Sequence, residues 1–164
     1  MEHLHAYWRM EYVKQETKPA DRRPFVDLPK MDDDKGNLIV ARERHSFVLM
    51  NRYPYNAGHL LILPYREVAN LEDLSDDEML CFTKTTLKAK RVLQIALKPD
   101  GFNIGLNLGS AAGAGVPKHL HQHVVPRWTG DTNFMPVLGD TRVLPQSLAS
   151  LWEHLKATAD SLDA

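Results

Sequence analysis

The 164-residue sequence has a single cysteine, Cys81, so it cannot close an internal disulfide. It also has no apolar run near the ~20 residues that a membrane-spanning helix needs. Its opening stretch, MEHLHAYWRMEYVKQE, carries charge throughout and lacks the apolar centre of a signal peptide. No charge of either sign dominates: 20 Lys and Arg face 21 Asp and Glu, for a net charge of −1. That balance removes any general pull toward nucleic acid or an anionic membrane. Repeats and low-complexity segments are missing too. These absences predict a cytoplasmic protein with no nucleic-acid or membrane partner. What is present, 43% hydrophobic and 25% charged residues, fits a globular chain long enough for one domain with a real core.

The segment 14–37 is polar, with three prolines and a late glycine, and reads as a loop or irregular arm. Two β-rich runs follow, Leu38–Val40 and Ser46–Met50, then a turn RYPYNAG and a buried strand over His59–Tyr65. Ser75 followed by Glu78 forms a capping box, and Asp76 and Asp77 suit the positive end of a helix dipole. Met79, Phe82, Thr86, Ala89, Leu93 and Ala96 then recur at spacings of three and four, which gives the helix one core face. KPDG stops it at Lys98–Gly101. FNIGLNL alternates, with Phe102, Ile104, Leu106 and Leu108 on one face and Asn103, Gly105 and Asn107 on the other. Residues 146–162 read as a terminal helix with Leu148, Leu151, Trp152 and Leu155 on one side. The pattern predicts an α+β fold, a mostly antiparallel sheet with a central helix and a C-terminal helix.

HLHQHVVPRW, His119 to Trp128, spends three of the chain's eight histidines two residues apart. On a strand, alternate side chains share a face, so His119, His121 and His123 form one row. At ~3.3 Å per residue the outer two are ~13 Å apart at the backbone, too far for one straight strand to bring all three within ~2.1 Å of a single zinc. A row of imidazoles with different tasks along an extended substrate fits better. The row follows GSAAGAGVP, Gly109–Pro117, whose glycines let backbone N–H groups approach phosphate oxygens. A neutral imidazole can attack phosphorus and form a covalent phospho-histidine. Three readings stand on these residues: a phosphoryl- or nucleotidyl-transfer enzyme, a nucleotide-binding regulator with little turnover, and a metal enzyme using His121 and His123.

HLHQHVV resembles the histidine triad motif, in which three histidines alternate with apolar residues. FVLMNRYPYNAGHLLILPYR resembles that family's first block and GLNLGSAAGAG its phosphate loop, so the resemblance runs from Phe47 to Trp128. The tail PRWTGDTNFMPV is similar to the bacterial branch that acts on diadenosine tetraphosphate. The resemblance implies a homodimer that binds an adenine nucleotide or dinucleoside polyphosphate and needs no cofactor. It implies nucleotidyl transfer through a covalent intermediate on His121. His119 would orient that ring through its carbonyl, His123 would face the leaving group and His59 would stand behind them. Asn51 matches a residue on the ribose and Asn107 one on the phosphates, with Gly113, Gly115 and Val116 in the phosphate loop. Trp128 either stacks on the base or caps the end of its strand. The expected organisation is a single domain over 1–164, with an arm at 1–37, the core at 38–128 and an extension at 129–164.

The sequence departs from the family pattern at three places. Gln122 stands where an apolar residue is usual, on the side away from the active face. Val116 replaces a Ser or Thr, which leaves the loop N–H groups to hold the phosphate. Arg23, Val26 and Glu67 occupy positions where many bacterial relatives place two cysteines and a histidine around zinc, so no metal is expected. Arg23 and Glu67 are instead expected to pair beside His119, with Val26 packed against them.

Overall fold

The computed structural model describes residues 23–132 and 146–163. Its framework is a five-stranded sheet, β1 Ile39–Arg42, β2 Ser46–Met50, β3 Leu60–Pro64, β4 Gly101–Leu106 and β5 Gln122–Arg127. The strand order is β1-β2-β3-β5-β4, and every neighbouring pair is antiparallel. The expected α+β arrangement is therefore the observed one. The segment 23–37 is not irregular. It folds into two one-turn helices, α1 Pro24–Asp27 and α2 Asp34–Asn37, joined through a 3-10 turn at Leu28–Lys30. Proline opens the first two of these turns, where its missing N–H costs nothing, and the Asp33 carboxylate accepts the Gly36 N–H to cap the third. Residues 1–22 of the expected arm, and 133–145 and 164 of the expected extension, lie outside the described residues.

The long helix α3, Asp76–Leu97, starts where the sequence placed it. Ser75 Oγ accepts the Glu78 N–H, and Glu78 Oε2 accepts the Ser75 N–H at 2.9 Å. Arg66 grips the same carboxylate through two nitrogens at 2.9 and 2.7 Å. That bond first, and the Ser75 N–H second, pull the Glu78 pKa down to about 2. Phe82, Thr85, Thr86, Ala89, Val92 and Leu93 form the buried face, which lies on β2, β3 and β5. Lys98 ends the helix in a left-handed conformation. The C-terminal helix α4, Leu148–Ser161, buries Leu151, Leu155 and Ala159 and docks on β1 where Trp152 Nε1 donates to the Ile39 carbonyl at 2.9 Å.

Both helices lie against the sheet, and Leu60, Leu61, Ile62 and Leu63 on β3 are all within 5% of full burial. Burying one such side chain contributes about 1.5–3 kcal/mol, so this central strand anchors whatever it carries. The edge strand β4 behaves differently. Phe102 and Leu106 pack on the core, but Ile104 stays 43% exposed. A strand with one neighbour can bury only part of its apolar face.

Gly58 sets the entry to β3. Its φ is +78°, and an added Cβ would lie 2.5 Å from Leu97 Cδ1 and 3.3 Å from Pro126 Cγ. Only glycine allows the turn to pass this close to the end of α3 while reversing in the left-handed region. The next residue is His59.

Candidate active site

The site forms where the starts of β3 and β5 lie side by side. Strand β5 begins at Gln122, three residues later than an unbroken histidine strand would require. His119, in a bend, and His121 precede it outside the ladder, where the Leu120 N–H between them donates to the Val68 carbonyl at 2.6 Å. Their polar atoms bond elsewhere: His119 Nε2 donates to the Pro64 carbonyl at 2.8 Å, and His121 Nδ1 donates to the His119 carbonyl at 2.7 Å. Gln122 turns to the opposite side, as expected, and takes the hydroxyl of Thr86 on α3 at 2.6 Å. His123 is paired across the sheet with Leu61 and Gly105.

The four histidines of the sequence reading come together. His59 Nε2 lies 2.9 Å from His123 Nδ1, and the His121 and His123 rings meet edge-on with centroids 5.3 Å apart. His59 and His119 are each 1% exposed and His121 6%. Asn51 Nδ2 is 3.3 Å from His59 Nδ1, while its Oδ1 accepts the Tyr53 N–H. Asn107 Nδ2 lies 3.4 Å from His123 Nε2.

The tautomers follow from the partners. A carbonyl can only accept, so His121 carries its proton on Nδ1 and presents the Nε2 lone pair. The same logic gives His119 its proton on Nε2. An amide N–H can only donate, and Tyr55 N sits 3.0 Å from His59 Nδ1. His59 therefore carries its proton on Nε2 and gives it to His123 Nδ1. Burial pushes the pKa values of both His119 and His121 below the ordinary histidine range, in each case against the pull of the carbonyl that accepts the ring proton. Near neutral pH, His121 is thus a buried, uncharged ring with a free, oriented nitrogen lone pair. That is the state a nitrogen nucleophile requires.

The glycine-rich segment follows β4 as a 3-10 turn, Ser110–Ala112, between Gly109 at φ +78° and Gly113 at φ +86°. Gly115 is exposed and Val116 half-buried, and the Val116 carbonyl accepts the His119 N–H at 3.2 Å. This bond ties the loop to the histidine row. Trp128 sits at the far end of β5, five residues and ~16 Å along the strand from His123. Its N–H caps that end on Asp131 at 3.1 Å. Asp131 also holds Arg127 through two nitrogens and accepts from Asn56 Nδ2.

Arg23 and Glu67 form the expected ion pair. It is solvent-facing rather than buried, with side chains 55% and 22% exposed. The Glu67 carboxylate is held below its usual range first by the Arg23 hydrogen bond, and His119 adds to the pull. A guanidinium, an aliphatic side chain and one carboxylate around His119 do not make a tetrahedral zinc site, even though His119 Nδ1 is buried with no partner among the described residues.

Two aromatic residues escaped the sequence reading. Phe25 packs on the rings of His119 and His121, with centroids 5.6 and 5.4 Å away. Tyr55 stacks on His123 at 5.5 Å with planes 16° apart, and touches His59 at 4.6 Å. The only signal for Tyr55 was its place in the turn four residues before His59; nothing local pointed to Phe25.

A family model described as HIT domain matches residues 34–130. Among characterised sequences, the chain is 43% identical over 155 residues to a protein named AP-4-A phosphorylase from Mycobacterium tuberculosis, covering 90% of this chain and 79% of that protein. Among solved structures it resembles a hypothetical histidine triad nucleotide-binding protein from Sulfolobus tokodaii, with a TM-score of 0.68 at 21% identity, over 85% of this chain and 93% of that one. It also resembles a zinc-bound histidine triad family protein from Mycobacterium smegmatis, with a TM-score of 0.65 at 23% identity, over 84% and 94%. These two structures agree with the fold.

Proposed function

The chain belongs to the histidine triad (HIT) family, and from that premise we propose that it is a nucleotidyl-transferring enzyme that cleaves dinucleoside polyphosphates such as diadenosine tetraphosphate, or related adenylyl conjugates, through a nucleotidyl-histidine on His121. The observation that carries this reading is the 2.7 Å bond from His121 Nδ1 to the His119 carbonyl, which frees Nε2 in a ring kept neutral by burial. The AP-4-A phosphorylase relative supports the choice of substrate.

In the first step the Nε2 lone pair attacks the α-phosphorus. The bond to the leaving phosphate oxygen breaks and its electron pair departs with that oxygen. The His119 carbonyl steadies the charge that grows on the imidazole, and His123 faces the departing oxygen. In the second step, oxygen from water or inorganic phosphate attacks the same phosphorus. The N–P bond breaks, its pair returns to Nε2, the proton of an attacking water passes to solvent, and AMP (from water) or ADP (from phosphate) leaves. Gly115 and Val116 present loop N–H groups to the phosphates, Gly113 shapes the loop by closing its turn on the Ser110 carbonyl, Asn107 reaches the same region, and Asn51 takes the ribose. Trp128 stands at the end of β5, where a base of an extended dinucleotide could stack. Positioning and charge stabilisation supply most of the rate, as in other phosphoryl transfers.

The working unit is a homodimer of single-domain chains. Among the described residues β4 pairs with β5 alone and Ile104 and Leu108 are each 43% exposed, which supports this, because an apolar strand edge favours a partner strand. Among the described residues no helix is long and apolar enough to cross a membrane, which accords with a cytoplasmic location.

Incubation with diadenosine tetraphosphate, with and without inorganic phosphate, tests the reading. ATP with ADP in the presence of phosphate marks a phosphorylase; ATP with AMP in water marks a hydrolase. Acid-quenched enzyme should carry one adenylyl group on His121. An adduct on another residue, or no cleavage under either condition, defeats the proposal.

A further inference from the structure

We infer that Asp131, acting through Asn56, is a positioning residue for the reaction: its carboxylate staples the turn between β2 and β3 to the far end of β5, and that staple aims His59 at His123. Their role rests on the covalent reading of His121, to which neither Asp131 nor Asn56 contributes a reacting atom.

The staple starts from a crowded carboxylate. Asp131 Oδ2 accepts Arg127 Nε at 2.6 Å, Asn56 Nδ2 at 2.8 Å and the Trp128 N–H at 3.1 Å. Its Oδ1 accepts Arg127 Nη2 at 2.7 Å and the Thr132 hydroxyl at 3.3 Å. The Asp131 N–H closes on the Trp128 carbonyl at 3.0 Å, and Arg127 Nη1 reaches across to Asn103 Oδ1 on β4 at 2.8 Å. An ionised carboxylate offers about four acceptor positions, and these donors fill them. The carboxylate is therefore a fixed point at the end of the sheet. Asn56 connects that point to the histidines. Its side-chain nitrogen uses both hydrogens, one on Asp131 and one on the Pro126 carbonyl at 3.2 Å. Its own carbonyl accepts the His59 N–H at 3.1 Å. The residue before it, Tyr55, gives its N–H to His59 Nδ1 at 3.0 Å and stacks its ring on His123 with planes 16° apart. One residue thus couples the Arg127–Asp131 clamp to the backbone of His59 and, through Tyr55, to both rings.

The turn joins Met50 at the end of β2 to Leu60 at the start of β3. A connection of that length shifts easily unless it is tied to something outside itself, and a misplacement of ~1 Å at a reacting group can cost ~10²-fold in rate. The other parts of the site are tied elsewhere. The Asn51 N–H donates to the His59 carbonyl at 2.9 Å at the base of the hairpin, and the His121 ring is held by the His119 carbonyl. Cutting the staple should therefore disturb the leaving-group side, where His59 Nε2 meets His123 Nδ1 at 2.9 Å, more than the ribose contact or the nucleophile.

Asn56→Ala in the full chain tests this, because it removes the link and leaves the Arg127–Asp131 pair in place. In imidazole ¹H–¹⁵N spectra near neutral pH, His59 and His123 should shift or broaden while His119 and His121 keep their wild-type positions; a general loosening of the fold would move all four. With diadenosine tetraphosphate, kcat should fall by ~10-fold or more while KM stays within ~3-fold. Asp131→Asn, which sets an N–H against Arg127 or Asn56, should disturb the same two rings and give the same kinetic split. The double variant should lose no more kcat than Asp131→Asn alone, since both changes cut one link. Unmoved His59 and His123 signals, an unchanged kcat in folded Asn56→Ala, or additive losses in the double variant overturn the inference. If one single variant fails to fold, the other decides. Failure of the covalent reading is seen separately, in the wild-type protein, as a missing adenylyl group on His121 while the His59 and His123 signals still respond to Asn56→Ala.

Discussion

The two ends of β5 solve opposite electrostatic problems with the same strand. At its start, His119 and His121 are buried, uncharged and held by backbone carbonyls. At its finish, Arg127 and Asp131 remain charged, each satisfied by the other and by Asn56, Asn103 and the Trp128 N–H. Arg127 draws the Asp131 carboxyl far below its usual range, and the Trp128 N–H helps. Arg127 keeps 44% of its side chain in water, and the Asp131 carboxylate, 10% exposed, has its oxygens fully paired, so the finish can be clamped by ions. The start must be dry to keep an imidazole nucleophilic, so only neutral groups with fixed tautomers fit there. Rigidity is reached by both routes, but only the dry end is left with an oriented lone pair.

The widest gap between the two ends should appear in catalysis. His121→Ala is expected to reduce diadenosine tetraphosphate turnover to the buffer rate while nucleotide binding, followed by calorimetry, stays within a few-fold of wild type. Near-normal turnover would remove the distinction between the ends altogether.

Gly58 touches both halves, because its Cβ position meets Pro126 near the finish and its neighbour His59 lies at the start. Gly58→Ala combines a positive-φ penalty of ~1–3 kcal/mol with crowding against Leu97 of ~1–3 kcal/mol. Urea denaturation should show a loss within the sum of those ranges, and a loss below ~1 kcal/mol would mean that the turn relaxes freely.

Lowering the pH should separate the ends in time. His119 and His121 have depressed pKa values in the fold, so the unfolded chain binds protons first. Their contribution is complete above the unfolded value of ~6.5 and is lost as pH falls from there through the folded values. The Asp131 contribution, also from a depressed pKa, is complete above ~3.9 and goes only in stronger acid. Stability against urea should therefore begin to fall just below pH 6.5, and His119→Phe should flatten that first phase. A curve flat down to pH 4 contradicts the assignment.

The smallest effect is expected at the rim pair. Arg23→Ala removes the partner of Glu67, but the guanidinium is in water. The denaturation midpoint should not move measurably, and a clear loss would show that this pair, like the histidines, is part of the dry end.

Much of this was legible before any coordinates. The capping box at Ser75 and Glu78, the periodic face of α3 and the strand Ser46–Met50 are local signals, and they appear where the pattern put them. The pairing of Arg23 with Glu67 was legible from complementary charge, but its exposure was not, because burial depends on how the whole arm lies. The row of histidines was legible as a row, yet the pattern extended β5 too far. His119 and His121 leave the ladder to reach carbonyls, one of them 55 residues away in sequence. The roles of Phe25 and Tyr55 were not legible, since ring contacts across the fold leave no periodic trace.

The sequence by itself determined the chemistry available: three alternating imidazoles after a glycine loop, a fourth behind Gly58, and no excess charge to direct the chain elsewhere. These are matters of side-chain identity and short-range spacing, which neighbouring residues settle. The tertiary structure alone decided which nitrogen of His59, His119 and His121 holds the proton. That choice depends on the Pro64 carbonyl, the His119 carbonyl and the Tyr55 amide arriving at hydrogen-bond distance, and only the packed sheet brings them there.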